Sequence, residues 1–161
     1  MSTDVLDRSY ARDVPGARGA LRWLAPLGRV LFALIFVSSG LSHFSRQSID
    51  YAASQGVPAA QVFVPLAGVL ALVGGLGVAL GFRTRLAALL LVIFLVPVTL
   101  EMHAFWTAQD PMAAMNQQIH FMKNLSMLGA ALYFLCMGGG PVSLDARRHR
   151  PAVAAPPAEV R

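Results

Sequence analysis

Cysteine and charge are both scarce in this sequence of 161 residues. Cys136 is the only cysteine, so the chain alone can form neither an intrachain disulfide, nor a CxxC redox pair, nor a thiolate-rich metal site. Only 13% of the residues are charged, whereas 56% are hydrophobic. Because a soluble domain carries more charge, this composition favours an integral membrane protein without a separate soluble catalytic domain.

The basic residues outnumber the acidic ones, with a formal net charge of +5 and a pI near 10.4. They lie between the apolar runs rather than on one soluble face, and no helix-turn-helix, zinc-finger or stacking-aromatic motif accompanies them. Membrane topology and anionic lipid therefore explain the charge better than nucleic acid does, and we expect no nucleic-acid partner.

Four long apolar runs cover residues 24–44, 62–80, 86–106 and 121–138. Each is close to the ~20 residues that a helix needs to cross ~30 Å of hydrocarbon. In lipid the backbone must satisfy its own hydrogen bonds, and runs this long without alternation exclude a closed barrel. The sequence therefore predicts an all-α integral membrane four-helix bundle.

The distribution of basic residues predicts the orientation of the bundle. One side would carry Arg8, Arg12, Arg18, Arg22, Arg83, Arg85, Arg147, Arg148, Arg150 and Arg161. The opposite side has only Arg46 and Lys123. Both termini and the turn at residues 81–85 are thus expected in the cytoplasm. Residues 45–61 face outside in this topology, and a short interfacial helix is expected there.

The chain divides into a four-helix domain, residues 23–140, and two tails. We expect the N-terminal tail, residues 1–22, and the C-terminal tail, residues 141–161, to be cytoplasmic and disordered. Within the domain, small residues recur at four-residue spacing in the second run: Ala67, Ala71, Gly75 and Ala79. Such a row lets helices approach closely, either as a packing face inside the chain or as the seam of a homo-oligomer.

Polar residues from three helices share one depth near the predicted outer face. They are His43, Glu101, His103, His120, Lys123 and Asn124. Charged groups in a membrane usually face a bundle interior or find partners, so we expect Glu101 to pair with Lys123. Glu101 and His103 lie about 200° apart around a helix, so both reach one cleft only if the helix is distorted, for instance by Pro97.

This polar layer allows three interpretations. It can be structural, it can bind a quinone through proton-exchanging side chains, or it can bind a metal. No metal site is predicted, because no HxxxH or ExxH spacing places two ligands on one helix face. Arg29 lies on the predicted cytoplasmic side, where its long side chain is expected to reach the headgroups.

Several stretches resemble the DoxX family of small four-helix bacterial membrane proteins. They are Gly28-Arg29-Val-Leu-Phe-Ala-Leu-Ile-Phe-Val-Ser-Ser-Gly40, the glycine-rich residues 74–85, His103-Ala-Phe-Trp106, Phe121-Met-Lys-Asn124 and Ser143-Leu-Asp145. Among the residues in these matching stretches are Arg29, His103, Lys123 and Asn124. The chain departs from the family pattern at Ala71, where many relatives carry an acid, and at His43, where a lysine is frequent.

The resemblance implies an accessory or membrane-anchoring subunit of a quinone- or thiol-linked redox complex in the bacterial inner membrane. Its partners would be the lipid bilayer and a membrane or periplasmic redox protein, with no intrinsic cofactor other than a possible bound quinone. A small-molecule transporter and a purely structural membrane protein are the alternatives. Stand-alone catalysis is not expected, because the sequence shows no nucleophile–base or two-cysteine arrangement.

Overall fold

A computed structural model describes residue 19 and residues 21–148. These residues form helices and no strand: α1 (Leu24–Ser42), α2 (Arg46–Ser54), α3 (Ala60–Leu80), α4 (Thr84–Met102), a 3-10 turn (Phe105–Thr107), α5 (Pro111–Met137) and α6 (Leu144–Arg148). Four of them, α1, α3, α4 and α5, are long and apolar enough to cross a membrane. The predicted all-α bundle with four spans is therefore confirmed.

The long helices pack in chain order, α1 on α3, α3 on α4 and α4 on α5. Because successive long helices run antiparallel, α1 begins at the same end where α5 finishes. We call this the arginine end, since Arg29, Arg83, Arg85, Arg147 and Arg148 lie there. The opposite end carries α2 and the 3-10 turn, and we call it the cavity end. Which end faces the cytoplasm stays a prediction.

Two helix limits differ from those predicted. The fourth span begins at Pro111, well before residue 121, because Asp110 caps it: the Ala113 N–H donates to Asp110 Oδ2 at 2.7 Å. The third span ends at Met102, since His103 has non-helical backbone angles of φ −128° and ψ 37°. Hydropathy registers neither the side-chain cap at the first limit nor the change of backbone conformation at the second.

Small residues bring α3 into close contact with both of its neighbours. Ala71 is fully buried, and a Cβ on Gly75 would lie 3.1 Å from the Phe36 Cβ on α1. On the other face of α3, a Cβ on Gly74 would meet Leu91 of α4 at 2.7 Å. Ala67 and Ala79 are half-buried. Ala71 and Gly75 thus pack inside the chain, where a homo-oligomer seam could not use them.

The first loop contains the expected short helix, α2. Its first turn is capped by Ser45, whose side chain accepts a hydrogen bond from the Ser48 N–H at 3.2 Å. Ala52 of α2 is buried against Ala60 and Val64. This contact holds α2 across the cavity end of α3.

The C-terminal tail begins later than predicted. Residues 141–148 return to the arginine end of the bundle, where the Asp145 N–H donates to the Gly81 carbonyl at 2.9 Å. The boundary expected at residue 141 is therefore wrong, because Asp145 is held against the turn between α3 and α4. The disorder expected for the tails concerns residues 1–18, 20 and 149–161, which lie outside the described part of the chain.

Candidate ligand-binding cavity

A cavity of about 680 Å³ opens among the long helices at the cavity end, with α2 contributing to its wall. Much of the wall is apolar, including Phe36, Leu70, Phe94 and Met127. Polar side chains of the predicted outer layer complete it: His43, Glu101, His103, Lys123 and Asn124. The structure therefore brings these residues to one site, whereas His120 lies beside it.

Asn124 is the most deeply buried polar residue of this wall. It is 5% exposed, and its carboxamide forms no hydrogen bond with any other described residue. The residue is buried, but its carboxamide atoms keep some accessible surface, because Arg29 Nε is the one fully enclosed side-chain polar atom without a partner among the described residues. Because the side chain lines the cavity, a molecule inside the cavity can supply the missing partner.

His43 presents one free ring nitrogen. Its Nδ1 lies 2.6 Å from the Ser39 carbonyl oxygen, one turn earlier on α1, so Nδ1 carries the proton in the neutral ring. Nε2 is then an acceptor, and it becomes a donor when the ring is protonated. The ring also packs edge-on against Phe94, with centroids 5.7 Å apart.

A cluster of three basic side chains stands at the rim. The rings of His103 and His120 stack with centroids 5.2 Å apart, and the Lys123 ammonium lies 3.0 Å from His120 Nδ1. Since an ammonium only donates, this contact requires Nδ1 of His120 to be unprotonated. His103 is held in turn by Gln117, whose Oε1 lies 2.8 Å from its Nδ1.

Glu101 lines the cavity but does not pair with Lys123. Lys123 contacts His120 instead, and within residues 21–148 Glu101 forms no salt bridge. The predicted ion pair is therefore not formed in this structure. Glu101 and His103 nevertheless share the cavity, because α4 ends between them and the chain direction changes at His103. A helix end, rather than a kink at Pro97, supplies the expected distortion.

The wall of this cavity combines hydrogen-bonding side chains with apolar ones. No group of three metal-ligating side chains converges in the described residues. A quinone needs hydrogen-bond partners for its two carbonyl oxygens and apolar contacts for its ring and tail. Asn124, Lys123 and a protonated His43 can donate, while Phe36 and Phe94 supply apolar contacts.

The arginine end contains a different polar arrangement, centred on Arg29. This residue is only 3% exposed, and its guanidinium donates to the carbonyl oxygens of Gly139 and Val142, the latter at 2.8 Å. The expectation that Arg29 extends to the headgroups is wrong. The segment after α5 folds over the guanidinium and offers backbone acceptors, so the side chain ties α1 to that segment.

Asp145 caps α4 from a distant part of the chain. Its Oδ1 accepts from the Arg83 N–H at 2.7 Å, and its Oδ2 accepts from the N–H and the hydroxyl of Thr84, each at 2.8 Å. Burial by itself would raise the pKa of Asp145, but these hydrogen bonds and the charge of Arg148 lower it below its usual range. The carboxylate thus stabilises the N-terminus of α4.

Sequence reasoning missed this role of Asp145. The motif Ser143-Leu-Asp145 was visible, and Ser143 does cap α6 through the Ala146 N–H at 3.0 Å. The position that Asp145 caps is far away in sequence, however. No local pattern indicates such a contact, because it depends on how the chain returns after α5.

Four apolar helices around a largely apolar cavity with a few polar side chains define a multi-pass α-helical membrane protein. A model of the DoxX family matches residues 24–104, half of the chain. The chain is also similar to "Inner membrane protein YphA" of Escherichia coli (strain K12), with 30% identity over 135 residues, covering 84% of this chain and 95% of that protein. It therefore belongs to the DoxX family of inner-membrane proteins. No solved structure matches it.

Proposed function

We propose that this protein is the membrane subunit of a redox complex and binds a quinone in the cavity among its long helices. The observation that carries the proposal is Asn124, a buried carboxamide without a protein partner in the wall of a largely apolar cavity. A ligand with a polar head and an apolar body satisfies both features of this wall. Quinones are such ligands, and they reach the cavity from the lipid phase.

The chain's own residues would orient the ring and exchange protons. Asn124 and Lys123 donate hydrogen bonds to one carbonyl oxygen, while His43, when protonated, donates to the other. Glu101 is an exposed carboxylate in the same wall and can pass protons between the cavity and the aqueous rim. A bound quinone supplies the capacity to accept two electrons and two protons.

A partner protein would deliver the electrons. With Cys136 as its only cysteine, the chain cannot cycle a dithiol by itself. The basic rim formed by His103, His120 and Lys123 offers a surface to a partner with acidic side chains. We therefore assign this protein an accessory role, in which it holds the quinone and anchors the partner at the membrane.

Quinone binding is tested with purified protein in a mild detergent and a short-chain quinone such as decylubiquinone. The substitution Asn124→Leu removes the buried carboxamide, and we expect about tenfold weaker binding from the loss of one hydrogen bond in an apolar site. Ser126→Leu is the matched control, because Ser126 is exposed on the same helix. Its hydroxyl donates to the carbonyl oxygen of Met122, one turn earlier. This control variant should bind like the wild type.

Two results would contradict the proposal: no saturable quinone binding by the wild type, or equal binding by the two variants. Extraction of quinone from protein purified out of native membranes provides a second readout. Affinity purification from the same membranes, followed by mass spectrometry, tests the partner. Co-purification of a redox enzyme with wild type, reduced by Lys123→Glu at the rim, is the expected result.

The one-sided opening of the bundle favours a transporter as a second candidate. The cavity is open at one end, while Arg29 and the segment after α5 close the other, as in a carrier with access from one side. Uptake of a small amphiphile by sealed vesicles containing the protein, and its absence in vesicles without protein, would favour transport over the redox role.

A further inference from the structure

A second cavity lies between α1 and α5 at the arginine end, with a volume of about 460 Å³. Gly28, Arg29, Tyr133 and the three glycines of residues 138–140 contribute to its wall. It shares no lining residue with the larger cavity. Phe134 lines the smaller cavity and contacts Phe32 of α1, with ring centroids 5.3 Å apart. The smaller one is therefore a separate site.

Within residues 21–148, the charge of Arg29 in this wall forms no salt bridge with a carboxylate. Its described hydrogen bonds go to the two backbone carbonyls of Gly139 and Val142. The charge of Asp145 acts on Arg29, but the two carboxylate oxygens of Asp145 accept hydrogen bonds from Arg83 and Thr84 rather than from the guanidinium. A buried guanidinium without a paired anion is costly, so this site favours the arrival of an anion.

Hydrogen-bond donors without acceptors occur in residues that line the same cavity. Arg29 Nε is buried without a partner, and the N–H groups of Gly139 and Gly140 donate to no acceptor in the described residues. The hydroxyl of Tyr133 adds a further donor on α5. A concentration of donors around a positive charge is the chemistry that binds phosphate.

We propose that this cavity binds the phosphate group of an anionic phospholipid in the leaflet at the arginine end. The rim supports a lipid, because Leu24, Tyr133 and Met137 line the cavity and are more than half exposed, at 57%, 62% and 64%. Acyl chains can lie against these side chains while the phosphate reaches the donors. The bound headgroup joins α1 to α5, two long helices that are not neighbours in the packing order.

The test uses native mass spectrometry of the full chain in detergent, with phosphatidylglycerol, phosphatidylcholine and inorganic phosphate as separate probes. We expect phosphatidylglycerol to be retained at least about tenfold more strongly than phosphatidylcholine, since a net negative headgroup meets an unpaired guanidinium. Equal retention of the two lipids would overturn the proposal. Binding of inorganic phosphate without preference for phosphatidylglycerol would overturn the assignment to a lipid and leave a free-phosphate site.

A matched pair of glycine variants tests whether lipid binding depends on the cavity itself or only on the positive charge of the arginine end. Gly28 lines the cavity, and a Cβ there meets nothing within 4 Å, so Gly28→Leu fills the cavity without a clash. Gly129 on α5 is equally open but lies outside the cavity. Gly28→Leu should lose about tenfold in phosphatidylglycerol binding, and Gly129→Leu should bind like the wild type. Both variants keep every charge, so equal binding by them would overturn the proposed location.

Discussion

The two ends of the bundle both contain polar side chains, but these side chains differ in whether they have hydrogen-bond partners. At the arginine end, Arg29 donates to a backbone carbonyl and Asp145 accepts from a backbone N–H, each far away in sequence. At the cavity end, Asn124 and Glu101 line an open space without a hydrogen bond to another described side chain. Burial with partners stabilises a fold, whereas burial without partners costs stability and is retained where a ligand binds. We therefore expect the paired groups at the arginine end to govern stability and the cavity end to govern quinone binding.

Removing the cap at the arginine end should have the largest effect on stability. Asp145→Ala deletes three hydrogen bonds to the start of α4 and should lower the free energy of unfolding by about 3 kcal/mol. Unfolding by denaturant in mild detergent measures the change. Asp50→Ala is the control, because Asp50 is exposed on α2, and it should differ from wild type by less than about 0.5 kcal/mol. Similar losses in the two variants would remove the distinction between the ends.

Acidic pH should also destabilise the arginine end, by less than the substitution Asp145→Ala does. Because the folded-state pKa of Asp145 is lowered, its carboxylate contributes stability above the unfolded pKa of about 3.9 and loses this contribution as the pH falls through the folded value. Stability measured from roughly pH 6 down to pH 3 should therefore fall more steeply in the wild type than in Asp145→Asn. Parallel curves would show that the carboxylate charge does not stabilise the cap.

At the cavity end, a comparable substitution should leave stability unchanged or raise it. Asn124→Leu replaces a buried amide without a partner by an apolar side chain of similar size, which should add up to about 1 kcal/mol in the absence of quinone. Thermal unfolding in detergent measures this difference. A loss of more than about 1 kcal/mol would instead make Asn124 a structural residue and would weaken the contrast between the ends.

The smallest expected effect concerns Glu101 and Lys123. The sequence predicted an ion pair, but the Lys123 ammonium lies against His120. In a double-mutant cycle with Glu101→Gln and Lys123→Met, the stability changes should add to within about 0.6 kcal/mol, the average size of a polar coupling in membranes. A clearly larger favourable coupling would restore the predicted pair and would give the cavity end a stabilising contact of its own.

Local sequence properties predicted the helices well and their limits less well. Apolar runs identified all four spans, since each depends only on length and hydropathy. The start of α5 was missed because residues 111–120 are polar, although Asp110 followed by Pro111 is a recognisable helix start. The depth of the polar layer was likewise predictable from the antiparallel order of the spans, and five of its members do line one cavity.

The sequence by itself determined that this chain is an all-α membrane protein of the DoxX family and that polar residues gather at one depth. Hydropathy, residue spacing and motifs are local properties, so they can be read without knowing the packing. Only the tertiary structure decided the partners: Arg29 bonds to a carbonyl 110 residues away, and Asp145 caps a helix 61 residues before it. Such contacts depend on how α1 and the segment after α5 meet at one end of the bundle, just as the packing of the long helices at the other end places Asn124 in the wall of a cavity.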